Sequence, residues 1–248
     1  MPSPKDSLIV ALDVPTAVDA QEIVYELGDS VSFYKVGLQL FAAEGPKIVS
    51  ELVNSGRKVF LDLKLHDIPN TVGQAIKSIC ELGVTMITVH AAGGNRMMKE
   101  AVQAAKAAAV EPIILGVTVL TSFGQSDLEE SGVHIDLSRQ VRHLADLARS
   151  AGCGGVVTSP REAGSLRPTL GPDLAIVTPG IRPAGSEVGD QSRIATPAAA
   201  IRAGASHLVV GRPIVGATNR NHAARLILDE IGAAIHSPEM EMAGKKPA

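Results

Sequence analysis

The sequence predicts an α/β chain folded as a single-domain (β/α)8 TIM barrel over residues 1–248, and three observations carry that expectation. Short aliphatic runs recur roughly every 30 residues, the length of one βα unit. The composition is 45% hydrophobic but only 2% aromatic, with no Trp, so the interior has to be built from Val, Ile, Leu and Ala. That usage suits parallel strands buried on both faces. A chain of 248 residues also has the size at which such barrels stay undivided.

Taken in order, Leu8–Leu12 is the first strand, and Thr16 ahead of Ala17-Val18-Asp19 caps a helix that Gly28 stops. Tyr34–Gly37 and Lys58–Lys64 are the second and third strands. Gly83 closes a helix just before the fourth, Met86–His90, and Ile113–Val117 is the fifth. Asp136 precedes Leu137, Val141, Leu144 and Ala148 at helical spacing, with Gly152 at the end, and Gly155–Thr158 is the sixth strand. Ser159-Pro160 and Thr196-Pro197 each set an N-cap directly before a proline at the first helical position. Leu174–Thr178 is the seventh strand, and Leu208–Val210, reached through Gly204, the eighth. An open, doubly wound sheet is the rival arrangement, but it would want a glycine fingerprint after the first strand, where Ala11-Leu12-Asp13-Val14-Pro15 has none. Residues 1–6 read as a short N-terminal extension, and Ser237–Ala248 lacks periodicity and is expected to fray.

Several function classes are disfavoured. A net charge of −3 and a pI near 6.2 leave no basic footprint for nucleic acid. No apolar run approaches the roughly 18 residues that span a bilayer, so no membrane partner is expected. Met1 to Asp6 is too short and polar for a signal peptide. Cys80 and Cys153 have no CxxC companion and read as reduced thiols of a cytoplasmic protein. No GxxxxGK[ST] signature suggests an NTPase, and no His, Asp and Glu grouping has metal-ligand spacing, so neither a metal nor another cofactor is expected.

The residues that can do chemistry gather at strand ends, where barrels of this kind place their active sites. In Phe60-Leu61-Asp62-Leu63-Lys64-Leu65-His66-Asp67-Ile68-Pro69-Asn70-Thr71, regular alternation turns Phe60, Asp62 and Lys64 to one face and Leu61, Leu63 and Leu65 to the other. Burying an acid and a base costs several kcal/mol each unless they pair. Asp62 and Lys64 are therefore either a structural ion pair or a proton-handling site. Asp13, Lys35, His90, Thr118, Thr178 and Gly211 stand at the same end of other strands, and the convergence of so many charges favours function over packing. His66 and His90 read as positioning or structural groups.

Two segments, Leu120–Gly132 and Pro179–Arg193, break the regular pattern after strands, where long loops are usually functional. Val177-Thr178-Pro179-Gly180-Ile181-Arg182-Pro183 and Val209-Val210-Gly211-Arg212-Pro213-Ile214 follow strands seven and eight, the usual phosphate site of such barrels. Gly211 lets an anion approach the backbone, and a guanidinium adds a charge-assisted contact.

These motifs resemble the orotidine 5′-monophosphate decarboxylase family, in its bacterial form, over essentially the whole chain. The matching stretches are Ala11-Leu12-Asp13, Lys35-Val36-Gly37, the run from Asp62 to Thr71, Leu120-Thr121-Ser122, Thr178 to Pro183, Gly189-Asp190-Gln191 and Val210-Gly211-Arg212-Pro213. The resemblance implies decarboxylation of a nucleotide, orotidine 5′-monophosphate, to uridine 5′-monophosphate in pyrimidine synthesis. It implies Lys64 as proton donor to C6, Asp62 beside the departing carboxylate, and Asp13 and Lys35 holding the ribose and the charge network. Thr121 or Ser122 would contact the pyrimidine edge, and Pro179, Arg182, Gln191, Gly211 and Arg212 the phosphate region. Asp67, Ile68 and Thr71 would reach into a neighbouring subunit's site, which makes a homodimer the expected assembly. DxKxxD alone also fits magnesium-dependent phosphosugar barrels, and a barrel that only binds a phosphorylated ligand is the rival of another class.

Overall fold

The structure is a computed structural model that describes residues 2–183 and 195–237. Eight parallel strands close into a barrel in chain order, with the eighth pairing back on the first. They are β1 (Leu8–Ala11), β2 (Phe33–Gly37), β3 (Lys58–Leu65), β4 (Met86–His90), β5 (Ile113–Val117), β6 (Gly155–Val157), β7 (Ala175–Thr178) and β8 (His207–Val210). The (β/α)8 expectation thus holds, with strand ends differing by a residue or so.

The helices between them are α1 (Pro4–Ser7), α2 (Ala17–Leu27), α3 (Leu38–Glu44), α4 (Pro46–Asn54), α5 (Pro69–Cys80), α6 (Gly94–Lys106), α7 (Gln125–Glu130), α8 (Leu137–Ser150), α9 (Pro160–Leu170), α10 (Pro197–Arg202), α11 (Arg212–Val215) and α12 (Arg220–Ile235). Thr16, Asp136 and Thr196 cap α2, α8 and α10, each side-chain oxygen accepting a backbone N–H of the first turn. Ser159 differs: its hydroxyl donates to the Glu162 carboxylate rather than accepting from the backbone of α9.

Strand alternation divides the aliphatic residues into two cores. Ile9, Ala11, Phe33, Phe60, Met86, Leu115, Val117, Val157, Val177 and Val209 fill the barrel interior. Their neighbours in sequence, such as Leu8, Val10, Leu61, Ile87 and Val156, pack outward under the helices. Helix α8 lies close enough to β5 that a Cβ on Gly116 would sit 2.6 Å from that of Ala148.

Two sequence expectations change in detail. The extension before β1 holds the helical turn α1, tied down by Asp6, whose carboxylate accepts from Lys58 Nζ at 2.6 Å. The segment Leu120–Gly132 is not loop throughout, because α7 occupies its middle. Of Pro179–Arg193, residues 184–193 lie outside the described residues, as does the tail beyond Ser237.

Candidate active site

The site is built where β3 departs from regular geometry. Leu61 pairs with Ile87 and Leu65 with Val89, so four residues of β3 advance against two of β4. The excess is absorbed as a bulge in which Lys64 takes φ 52°, alone among described non-glycine residues in having positive φ. Such a conformation costs on the order of 1–3 kcal/mol and persists only where surrounding contacts impose it. Here those contacts are visible. The Lys64 backbone N–H donates to Thr88 Oγ1 at 2.8 Å, and the same hydroxyl donates to Asp62 Oδ1 at 3.0 Å.

The side chains then form a row of alternating charge. Lys35 Nζ donates to Asp13 Oδ1 at 2.7 Å and lies 3.9 Å from Asp62 Oδ2, which accepts from Lys64 Nζ at 2.8 Å. The Lys35 and Asp62 side chains are only 9% and 12% exposed, and their alternating partners offset the cost of removing them from water. Gly37 makes the row possible. A Cβ there would stand 2.7 Å from Lys35 Nζ and 2.8 Å from Asp13 Oδ1.

All four charges line one cavity of about 610 Å³ at the C-terminal mouth of the barrel. The rest of its lining includes Thr121 and Ser122 after β5, Pro179 and Arg182 after β7, and Gly211 and Arg212 after β8. Arg182 is 7% exposed, with Nη1 on the Ile181 carbonyl at 2.9 Å. Acids, bases and two guanidiniums thus line one half-open cavity, a layout suited to an anionic ligand carrying a reacting group. Among the described residues, no cluster of three or more His, Cys, Asp and Glu side chains could hold a metal ion.

A family model described as "Orotidine 5'-phosphate decarboxylase / HUMPS family" matches residues 6–227. The chain belongs to this family. It is 48% identical over 233 residues to the orotidine 5′-phosphate decarboxylase of Bradyrhizobium sp. (strain ORS 278), covering 94% of each chain. It is 51% identical over 233 residues to the enzyme of that name from Rhodopseudomonas palustris (strain BisB5), covering 94% of this chain and 97% of the other. The crystal structure of orotidine 5′-phosphate decarboxylase from Lactobacillus acidophilus superposes with a TM-score of 0.82 at 40% identity, over 91% of this chain and 99% of that one.

Within this decarboxylase-family barrel, several expected residues stand apart from the cavity. The chain leaves β3 at Leu65 and passes into α5 at Pro69, and Asp67, Ile68 and Thr71 do not line the cavity. Asp67 accepts the Ile68 N–H at 2.6 Å, and Ile68 is 66% exposed. Gln191 lies outside the described residues. Thr118 and Thr178 are buried and donate to the Val157 and His207 carbonyls, which ties strand ends together. The His90 ring sits 5.5 Å from that of His66. Burial, with help from His66 and the Lys64 charge, pushes the His90 pKa down against the opposing pull of Asp62.

Gln39, which lines the cavity, and Thr88, which lies behind it, are among the residues that sequence reasoning passed over, and Gly37 was named there only as part of a matching stretch. Thr88 carried a usable signal: it lies two residues after Met86 on β4 and so shares that residue's face toward the barrel interior, beside Asp62.

Proposed function

We propose that this chain is a carboxy-lyase that converts orotidine 5′-monophosphate into uridine 5′-monophosphate and carbon dioxide. The reading rests chiefly on the Asp62–Lys64 contact of 2.8 Å inside a cavity that also holds Arg182 and Arg212. Breaking the C6–carboxylate bond leaves its electron pair on a ring carbon with no conjugated sink. A fixed ammonium facing C6 stabilises that charge as it develops and then delivers the proton. Lys64 takes this role, with Asp62 beside the departing carboxylate and Lys35 and Asp13 holding the ribose. Thr121 or Ser122 meets the pyrimidine edge. Pro179, Arg182, Gln191, Gly211 and Arg212 receive the phosphate, whose remote contacts can be spent on organising the reacting end.

The proposal extends to a homodimer with shared sites. Asp67, Ile68 and Thr71 stand outside their own cavity, and the exposed apolar side chains Ile68 and Leu38 follow the adjacent strands β3 and β2. A cytoplasmic location suits the two unpaired thiols, Cys80 and Cys153.

The test is loss of orotate absorbance on adding purified protein to orotidine 5′-monophosphate, with and without a chelator. We expect turnover that survives chelation, and a fall of at least about 10³-fold in Lys64→Ala with product-nucleotide binding still measurable. Chelator-sensitive activity confined to phosphosugars would favour a metal-dependent relative, and near-wild-type decarboxylation by Lys64→Ala would remove the assigned proton donor.

A further inference from the structure

One hydroxyl outside the cavity connects both members of the reacting pair. Thr88 is fully buried, and its Oγ1 accepts from the Lys64 backbone N–H at 2.8 Å while donating to Asp62 Oδ1 at 3.0 Å. A threonine hydroxyl has one proton and two lone pairs, so it can serve both partners at once. The contact also falls at a particular place in the ladder. Ile87 and Val89 pair with Leu61 and Leu65, and Thr88, between them, faces the surplus residues of the bulge. Lys58, an even number of residues earlier in β3, donates its N–H to the Ser32 carbonyl on the β2 side, so regular alternation would turn the Lys64 N–H away from β4. In the bulge it meets the Thr88 side chain of β4 instead, at the described non-glycine residue with positive φ.

We propose that Thr88 is a positioning residue for decarboxylation. Its hydroxyl fixes the left-handed backbone of Lys64 and one oxygen of Asp62, leaving the other carboxylate oxygen to hold Lys64 Nζ at 2.8 Å. Without the hydroxyl, both the N–H and Oδ1 lose a partner in a space sealed from bulk water, and the bulge is free to relax toward a regular strand. The amine then moves relative to C6 while the phosphate and ribose contacts stay as they were. The proposal rests on the decarboxylase reading for its kinetic consequence, but the hydrogen-bond bridge itself does not depend on any substrate.

The experiment compares Thr88→Val, which keeps the shape, with Thr88→Ser and Thr88→Ala, a pair that differ from each other only in the hydroxyl. Two quantities are read: hydrogen exchange of the Lys64 amide in the ligand-free protein, and kcat on orotidine 5′-monophosphate beside the inhibition constant for uridine 5′-monophosphate. We expect Thr88→Val and Thr88→Ala to exchange the Lys64 amide faster and to lose roughly 10- to 100-fold in kcat, the scale of a displacement of about 1 Å at a reacting group. Inhibition by the product should change by no more than about threefold, and Thr88→Ser should recover most of both losses. Equal behaviour of the serine and alanine variants overturns the proposal, as does a kcat loss matched by an equal loss of nucleotide affinity. Should Thr88→Val fail to fold, the serine–alanine comparison still decides. If wild-type protein proves inactive on the nucleotide while amide exchange follows the hydroxyl, the functional reading fails and the bridge stands.

Discussion

At the scale of single residues, the site depends as much on an absent side chain as on those present. Gly37 has an ordinary φ of −99°, so its backbone does not require glycine. What requires glycine is the space: Lys35 Nζ and Asp13 Oδ1 would each stand within 3 Å of an added Cβ, at 2.7 and 2.8 Å. Gly37→Ala should therefore leave the fold intact, because the neighbours are the ends of flexible side chains, yet push Lys35 off Asp13 and disturb its approach to Asp62. We expect kcat/KM to fall by roughly 10- to 100-fold with little change in thermal midpoint. Steady-state kinetics beside a melting curve measure this, and an alanine variant with unaltered kinetics would show that the Lys35–Asp13 contact is dispensable.

At the scale of elements, the barrel's two ends divide chemistry from stability, and they were unequally legible in the sequence. Period-two alternation correctly turned Phe60 and Asp62 inward and Leu61 outward, because alternation is a property of the backbone. It could not foresee the bulge at Lys64, because that conformation depends on Thr88, which is distant in sequence and reaches β3 only once the sheet closes. Ser159 does stand at the N-cap of α9 ahead of Pro160, as its place in the sequence implies, and only its hydroxyl differs, donating to Glu162 three residues on.

The opposite end carries a pH-dependent element. His207 opens β8 with its ring edge-on to Phe33 at 6.2 Å and Nδ1 3.0 Å from Ser206 Oγ. Burial pushes its pKa down to about 4, with Asp6 opposing and Lys58 assisting. A histidine depressed in the folded state is stable as the neutral ring, so its contribution is complete above the unfolded value near 6.5 and is lost as pH falls toward 4. Asp6 does not act in that window, because its own pKa is lowered by the hydrogen bond from Lys58 and its loss comes at lower pH. We expect His207→Gln to flatten the decline of the melting temperature between about pH 6.5 and 4, a difference of roughly 1–3 kcal/mol at the acid end. Parallel pH profiles for variant and wild type would assign the acid sensitivity to other groups.

At the scale of the whole molecule, the cavity draws on β1, β2, β3 and the segments after β5, β7 and β8, so only a closed barrel assembles it. Yet the closed barrel leaves Asp67 beyond its own cavity and Ile68 66% exposed at the rim. If those side chains complete a neighbour's site, each reaction centre joins Lys64 from one protomer with Asp67 from its partner. Lys64→Ala and Asp67→Ala should then each be nearly inactive alone, but mixing them should restore activity. In a mixed dimer, one site carries both substitutions and the other carries neither. Free exchange at equal concentrations makes half the dimers mixed, so recovery should approach about a quarter of the wild-type rate. The recovery should also grow over the time that subunits take to exchange and vanish when the two variants are separated by a membrane. No recovery after demonstrated exchange would place Asp67 outside the reaction centre of either protomer and make the exposed Ile68 a feature of the rim alone.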